Sequence, residues 1–181
     1  DVTSVTPAPA TLTLSKGPVA ATAGTFGNSA YIFSILEDIT VPVVTDASGN
    51  SFANFDNIKV YEGTLLNTAF TYSSLNPNQK FILPNAGIDT DLMVVTVKNN
   101  SSSTGGTKYS SKNDLFNIKS DSKVYFLQEI EDEQYEIFFG DDIFGKKIEE
   151  GNYIVVDYII SSGDAANGIN SFTFGGKLSY I

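Results

Sequence analysis

The sequence predicts a mainly β fold, antiparallel and sandwich- or barrel-like, built from meanders with little helix. Three observations carry that expectation. Apolar and polar residues alternate at period two in one short segment after another. Those segments are rich in Val, Ile, Thr, Phe and Tyr, which suit a pleated surface. Gly, Asn and Pro punctuate them at short intervals and supply the dihedrals that turns require. Of the 181 residues, 41% are hydrophobic, which is enough for a core, since a chain of this size buries roughly 70% of its unfolded surface.

Taken in order, Leu12 and Leu14 alternate with Thr11, Thr13 and Ser15. The run Tyr31–Leu36 puts Tyr31, Phe33 and Ile35 on one face. Further strands are expected at 39–45, 58–61, 69–72, 80–83, 92–98, 123–130, 135–139, 153–161 and 171–180. Tyr153–Ser161 is apolar enough to be buried on both faces for part of its length. Turns are expected at Ser48-Gly49-Asn50, Asn76-Pro77-Asn78, Pro84-Asn85 and Ser161-Ser162-Gly163. The best helical signal begins at Ser111, where Asp114 imitates a capping partner and Leu115, Phe116 and Ile118 follow; it allows two turns at most. The polar stretch 99–112, NNSSSTGGTKYSSK, reads as a linker or an exposed loop. If a linker, it splits one β-rich region of 1–181 into 1–98 and 113–181. The stretches opening with Lys59-Val60-Tyr61 and Lys123-Val124-Tyr125 resemble each other, each passing through aromatic residues and a Gly turn to a long apolar strand. Any two antiparallel units share that pattern, so the likeness reads equally as an internal repeat or as two ordinary meanders.

Composition excludes much chemistry. The chain has no Cys, His or Trp, and all eleven basic residues are lysine. Zinc, haem and iron–sulfur sites of the usual kinds need Cys or His, and nucleophile pairs of the Ser-His-Asp or Cys-His type need an imidazole. Missing cysteine fits a reducing compartment. A net charge of −10 argues against a nucleic-acid partner, which needs clustered positive charge. No apolar run approaches the length that spans a membrane, and the opening residues lack a signal-peptide pattern. The chain starts at Asp1, and the expectation is a piece of a longer protein.

The acidic residues invite two readings. Glu129 with Asp141 or Asp142 supplies the carboxylates of an acid–base hydrolase, if they are held at a set separation. Asp89–Asp91 and Asp141-Asp142 offer oxygen ligands for calcium, but the EF-hand pattern is absent. Solvated turns explain these clusters more simply, Glu131-Asp132-Glu133 above all. Neither Gly105-Gly106 nor Gly175-Gly176 has the spacing of a phosphate loop. The expectation is therefore no catalytic residue, no cofactor and no metal. A carbohydrate-binding or adhesin β-sandwich is the alternative, with exposed Tyr109 or Tyr72 as contacts.

The most distinctive run is Tyr125-Phe126-Leu127-Gln128-Glu129, then Phe139-Gly140-Asp141-Asp142-Ile143-Phe144-Gly145, then Gly151 and Ile154–Tyr158, then Ser162-Gly163 and Asn167-Gly168. Its glycines suit positive φ or close backbone approach. Gly140 and Gly145 would bracket a tight acidic bend with Ile143 and Phe144 turned inward. This run resembles the baseplate J-like family of contractile-tailed phages and related injection machines, most closely its T-even-type wedge members. The family pattern runs "YFLxE", "xxFGDGxFG", a Gly turn, then "IxVxYxxSxGxxGNG". Weaker likenesses precede it at Ala23-Gly24-Thr25, Phe33–Thr40, Val60–Thr64 and Leu83–Thr90, so the resemblance covers roughly residues 17–172. Asp142 departs from it, standing where the pattern usually has Gly. The resemblance implies a virion structural protein of the tail baseplate, assembled in the bacterial host cytoplasm. It also implies other baseplate wedge subunits as partners and a homodimer of the full-length protein. It transfers Phe139, Gly140, Asp141, Asp142, Phe144, Gly145, Gly151, Gly163, Asn167 and Gly168 as structural turn residues.

Overall fold

A computed structural model describes residues 7–24 and 29–180; Thr25 of the Ala23-Gly24-Thr25 likeness and the opening residues 1–6 lie outside them. The first strands in chain order are β1 (Thr11–Leu14), β2 (Gly17–Thr22), β3 (Ile32–Ile35), β4 (Ile39–Pro42), β5 (Val44–Thr45), β6 (Ser51–Phe52), β7 (Tyr61–Glu62) and β8 (Thr64–Thr71). There follow β9 (Phe81–Ile82), β10 (Ile88–Lys98), β11 (Thr107–Ser111), β12 (Val124–Glu129), β13 (Tyr135–Phe139), β14 (Tyr153–Ile160), β15 (Phe172–Phe174) and β16 (Leu178–Tyr180). Helix is limited to single 3-10 turns at Glu131–Glu133 and Gly163–Ala166 among the described residues. The fold is mainly β, as the alternation predicts.

The chain forms two compact units, Asp1–Leu65 with Ser161–Ile181, and Leu66–Ile160. The first unit holds an antiparallel three-stranded sheet in the order β16-β1-β4, a four-stranded sheet in the order β15-β2-β3-β7, and the β5–β6 hairpin. Its core is small: Leu14, Val19 and Ile35, with Ile39, Phe55 and Ile58 packed against them. Leu12 and Leu14 are buried while Thr11 and Thr13 are partly exposed, the period-two pattern expected of them. In β3 the pattern is less regular. Ser34 is as buried as Ile35, and its hydroxyl donates to the Gly63 carbonyl at 2.8 Å. The Ser48-Gly49-Asn50 turn closes the β5–β6 hairpin around Asp46, whose carboxylate accepts the backbone N–H groups of Ser48 and Asn50. Those hydrogen bonds, Asn50 foremost, lower the Asp46 pKa.

The second unit is one seven-stranded sheet in the order β8-β14-β10-β11-β12-β13-β9. It curls far enough that aromatic rings from its two outermost strands meet: Phe70 on β8 and Phe81 on β9 pack edge to face at 5.5 Å. The enclosed core includes Leu83, Val95, Tyr125, Ile137, Ile154, Val156 and Tyr158. Val156, Asp157, Tyr158 and Ile159 are consecutive and all buried, so β14 is covered on both faces as expected. The Tyr158 hydroxyl, taken out of water, donates to Asn85 Oδ1 at 2.6 Å.

Several details depart from the sequence reading. The stretches expected as single strands at 39–45 and 171–180 each break into two, β4 with β5 and β15 with β16, that lie in different sheets. The chain divides at 65/66 and 160/161, and 99–112 lies inside the second unit. Tyr109 is the reason: it is 8% exposed and packs edge to face on Phe139 at 5.6 Å, which draws 107–111 into the sheet and leaves 99–106 as an exposed hairpin loop. One pairing is parallel, β11 with β12. The helix expected from Ser111 does not form, because Ser111 ends β11. Instead Asp114 Oδ1 accepts the Phe116 N–H at 3.0 Å and Asn117 takes φ 59°, an Asx turn that competes with the helix. Finally, Val60 is exposed in the first unit, whereas Val124 and Tyr125 are buried in the second. The two similar openings therefore occupy unlike environments, while the long strands β10 and β14 pair with each other.

Candidate functional site

The Phe139–Gly145 segment forms a turn locked from several sides. β12 and β13 make an antiparallel ribbon, Tyr125 opposite Phe139 at one end and Glu129 opposite Tyr135 at the other. At the Phe139 end the backbone doubles back. A Cβ added to Gly140 would lie 2.1 Å from the Gly145 carbonyl carbon and oxygen, and one added to Gly145 would lie 2.7 Å from Val124 Cγ2. Two backbones pass each other where no side chain fits. Gly145 also takes φ +93°.

The acids finish the turn. Asp141 Oδ1 accepts the N–H groups of Ile143 (3.0 Å) and Phe144 (2.8 Å). These bonds, Phe144 first, hold its carboxyl below the usual aspartate value. Asp142 has φ 68° and its Oδ1 accepts the Lys147 N–H at 2.9 Å. The position where the family pattern usually has Gly is thus in the left-handed region, one that Asp enters at some cost. The Gly145 carbonyl accepts the Asp142 N–H at 2.9 Å.

The turn is bolted to the loop before β12. Gly145 N–H donates to the Lys119 carbonyl at 3.1 Å and Lys146 N–H to the Ser122 carbonyl at 2.8 Å. That loop is held in turn by Lys119 N–H on Ser122 Oγ at 3.0 Å. Ile143 and Phe144 do not turn inward as expected; they are 67% and 45% exposed. With both of their N–H groups aimed at Asp141, their side chains are left on the outer side. Leu115 and Phe116, on the bolted loop, are 54% and 80% exposed. Sequence reasoning missed this second pair by reading it as one face of a helix. Two neighbouring large apolar residues between Asp114 and Asn117 were the available signal. Phe139 faces the other way and packs on Phe81 at 5.8 Å.

The remaining motif residues do not join this turn. Gly151, at φ +81°, precedes β14, and its N–H donates to the Tyr72 carbonyl at 3.1 Å. Beside it the Glu150 carboxylate accepts from Ser74 and Ser73, bonds that lower its pKa, those from Ser74 most. Gly163, Asn167 and Gly168 belong to the first unit. They shape an exposed 3-10 turn where Asn167 N–H donates to the Asp164 carbonyl at 3.1 Å.

The carboxylate pair of a hydrolase is not assembled. Glu129 is the last rung at one end of a five-rung ladder and Asp141 follows the other end, so about 13 Å of strand at about 3.4 Å per residue separates their backbones, against about 5–9.5 Å between the carboxyl groups of working pairs. Asp89 Oδ1 is taken by the Asp91 N–H at 3.1 Å. Of the proposed carbohydrate contacts, Tyr109 is buried rather than exposed and Tyr72 is half-buried. Among the described residues, no group of three or more acids is placed to hold a metal ion, and no helix is long and apolar enough to cross a membrane. No family model matches the chain, and no curated protein matches it.

Proposed function

We propose that the chain is a structural part of a contractile-tail baseplate wedge and acts by assembling with other wedge subunits rather than by turnover. The observation that carries this reading is the Gly140–Gly145 turn, which fixes Ile143 and Phe144 outward on a segment bolted to the loop bearing Leu115 and Phe116. The motif that resembles the baseplate J-like family thus holds two large apolar side chains at the surface, which supports the reading. Rigid presentation matters, because ordering a loose side chain on binding costs about 0.5–1.5 kcal/mol. Aromatic residues are also the usual anchors of interfaces. An assembly surface needs well above about 1,000 Å² in total, so these four side chains supply anchors within it and not its whole extent.

The test is co-expression of the full chain with the proteins encoded beside it in its genome, followed by light scattering on the purified products. The expected result is a defined complex that the double variant Phe116→Ser/Phe144→Ser fails to form while its melting temperature stays unchanged. If the unaltered chain associates with none of those proteins, the assignment fails.

A further inference from the structure

We propose that the second unit carries a slot for an extended peptide, which enters as an added strand between β10 and β12. This goes beyond the wedge reading and uses different residues.

The slot arises because β11 is shorter than the strands beside it. It pairs with β10 over Val95–Val97 only, and with β12 over Ser110–Ser111 only. Lys112 N–H makes one last bond, to the Tyr125 carbonyl at 3.0 Å, and the chain then leaves the sheet. β10 continues from Val94 back to Ile88, and β12 continues from Phe126 to Glu129. On the sides that faced β11, neither has a strand partner there among the described residues. Strands flanking a third lie about 9.5 Å apart, so at the end of β11 the interval is one strand wide. A groove of about 360 Å³ occupies this place. Thr90, Asp91 and Met93 form one wall and Leu127 the other, with Ser111 and Asn113 at the closed end. β10 is irregular along the same stretch, its register with β14 shifting between Asp89 and Val94. Bulges of this kind cluster at barrel rims and binding sites.

The surroundings specify the occupant. Two strand edges without a strand partner among the described residues, on which only the Asp91 N–H is held locally, by Asp89 Oδ1 at 3.1 Å, recognise an extended backbone, the basis of binding by strand addition. The peptide continues the line of β11, antiparallel to β10 and parallel to β12. Met93 and Leu127, packed with the core, suit an apolar side chain. No lysine lines the groove and Asp91 does, while Asp89 and Glu129 lie on the same two strands, so a flanking Lys or Arg is favoured. The occupant is thus an extended segment of a partner protein with an apolar residue next to a basic one.

The probe is a displayed library of random heptapeptides selected on the full chain, with the best binder then synthesised and titrated. Enriched peptides should pair an apolar with a basic position. The bound peptide should slow amide exchange at least tenfold within 90–93 and 126–129. Asp91→Lys, at an exposed position, should weaken binding at least fivefold with the circular dichroism unchanged. Phe116→Ser/Phe144→Ser should bind the peptide normally, which separates the slot from the wedge proposal. The slot is overturned if no peptide enriches, if the peptide protects other amides instead, if Asp91→Lys binds equally well, or if the slot amides of the free chain are all already as protected as that of Val95.

Discussion

The β12–β13 ribbon ends in two acidic turns that share a composition and differ in what holds them. At one end, Glu131–Glu133 is exposed, with Asp132 and Glu133 at φ 60° and 56°. It is closed by the Ile130 N–H on the Gln134 carbonyl at 2.9 Å and by Gln134 Nε2 on the Pro84 carbonyl at 3.2 Å. At the other end, the carboxylates of Asp141 and Asp142 accept three backbone N–H groups, and two glycines let the backbone close on itself. Acidity alone therefore says nothing about rigidity. A carboxylate stiffens a turn when it accepts N–H groups that the backbone cannot otherwise satisfy, and solvates it otherwise.

The largest expected effect breaks the comparison at its tight end. Gly140→Ala places a methyl group 2.1 Å from the Gly145 carbonyl, where only backbone can yield. The loss should be about 3 kcal/mol or more in urea unfolding of the full chain, at or beyond the upper range for overpacking. Glu131→Ala at the open end should change stability by less than about 0.5 kcal/mol. Equal losses at both ends would remove the distinction.

The next effect concerns Asp142. Asn tolerates the left-handed region and keeps an acceptor for the Lys147 N–H, whereas Val does neither. Asp142→Asn should lie within about 0.5 kcal/mol of the parent, and Asp142→Val should cost about 1–2 kcal/mol. An Asp142→Val variant as stable as Asp142→Asn would show that the backbone there relaxes at no cost.

Most strands were legible because period-two alternation is local and survives any tertiary arrangement. The Gly corners at 140 and 145 were legible for the same reason: backbone that passes close demands Gly whatever surrounds it. What stayed hidden depends on distant partners. Thr107–Ser111 looks like a polar linker until Tyr109 meets Phe139, and the parallel β11–β12 pairing has no local signature. Ile143 and Phe144 were assigned inward by hydrophobicity, but the two hydrogen bonds to Asp141 decide their direction. At Ser111 the helical spacing was real and lost to an Asx turn. The slot between β10 and β12 could not be read at all, since it is set by where a neighbouring strand stops.

The smallest effect sharpens the comparison through pH. Both turns carry acids, but the Asp141 carboxylate is tied to the turn it closes by two backbone N–H groups. Because its folded pKa is depressed, its contribution is complete above the unfolded value of about 3.9 and is lost as pH falls through the lower folded value. Protonation weakens the charge-assisted bonds to the Phe144 and Ile143 N–H groups. Exchange of these two amides, corrected for its intrinsic pH dependence, should therefore be flat from pH 7 to about 4 and accelerate below. In Asp141→Asn, which keeps a neutral acceptor, that acceleration should disappear. The Gln134 amide, which donates to the Glu131 backbone carbonyl at 3.4 Å and to no carboxylate, should show no such break in either protein. Parallel acid responses of the Phe144 and Gln134 amides would mean that global acid unfolding, and not the Asp141 carboxylate, governs the turn.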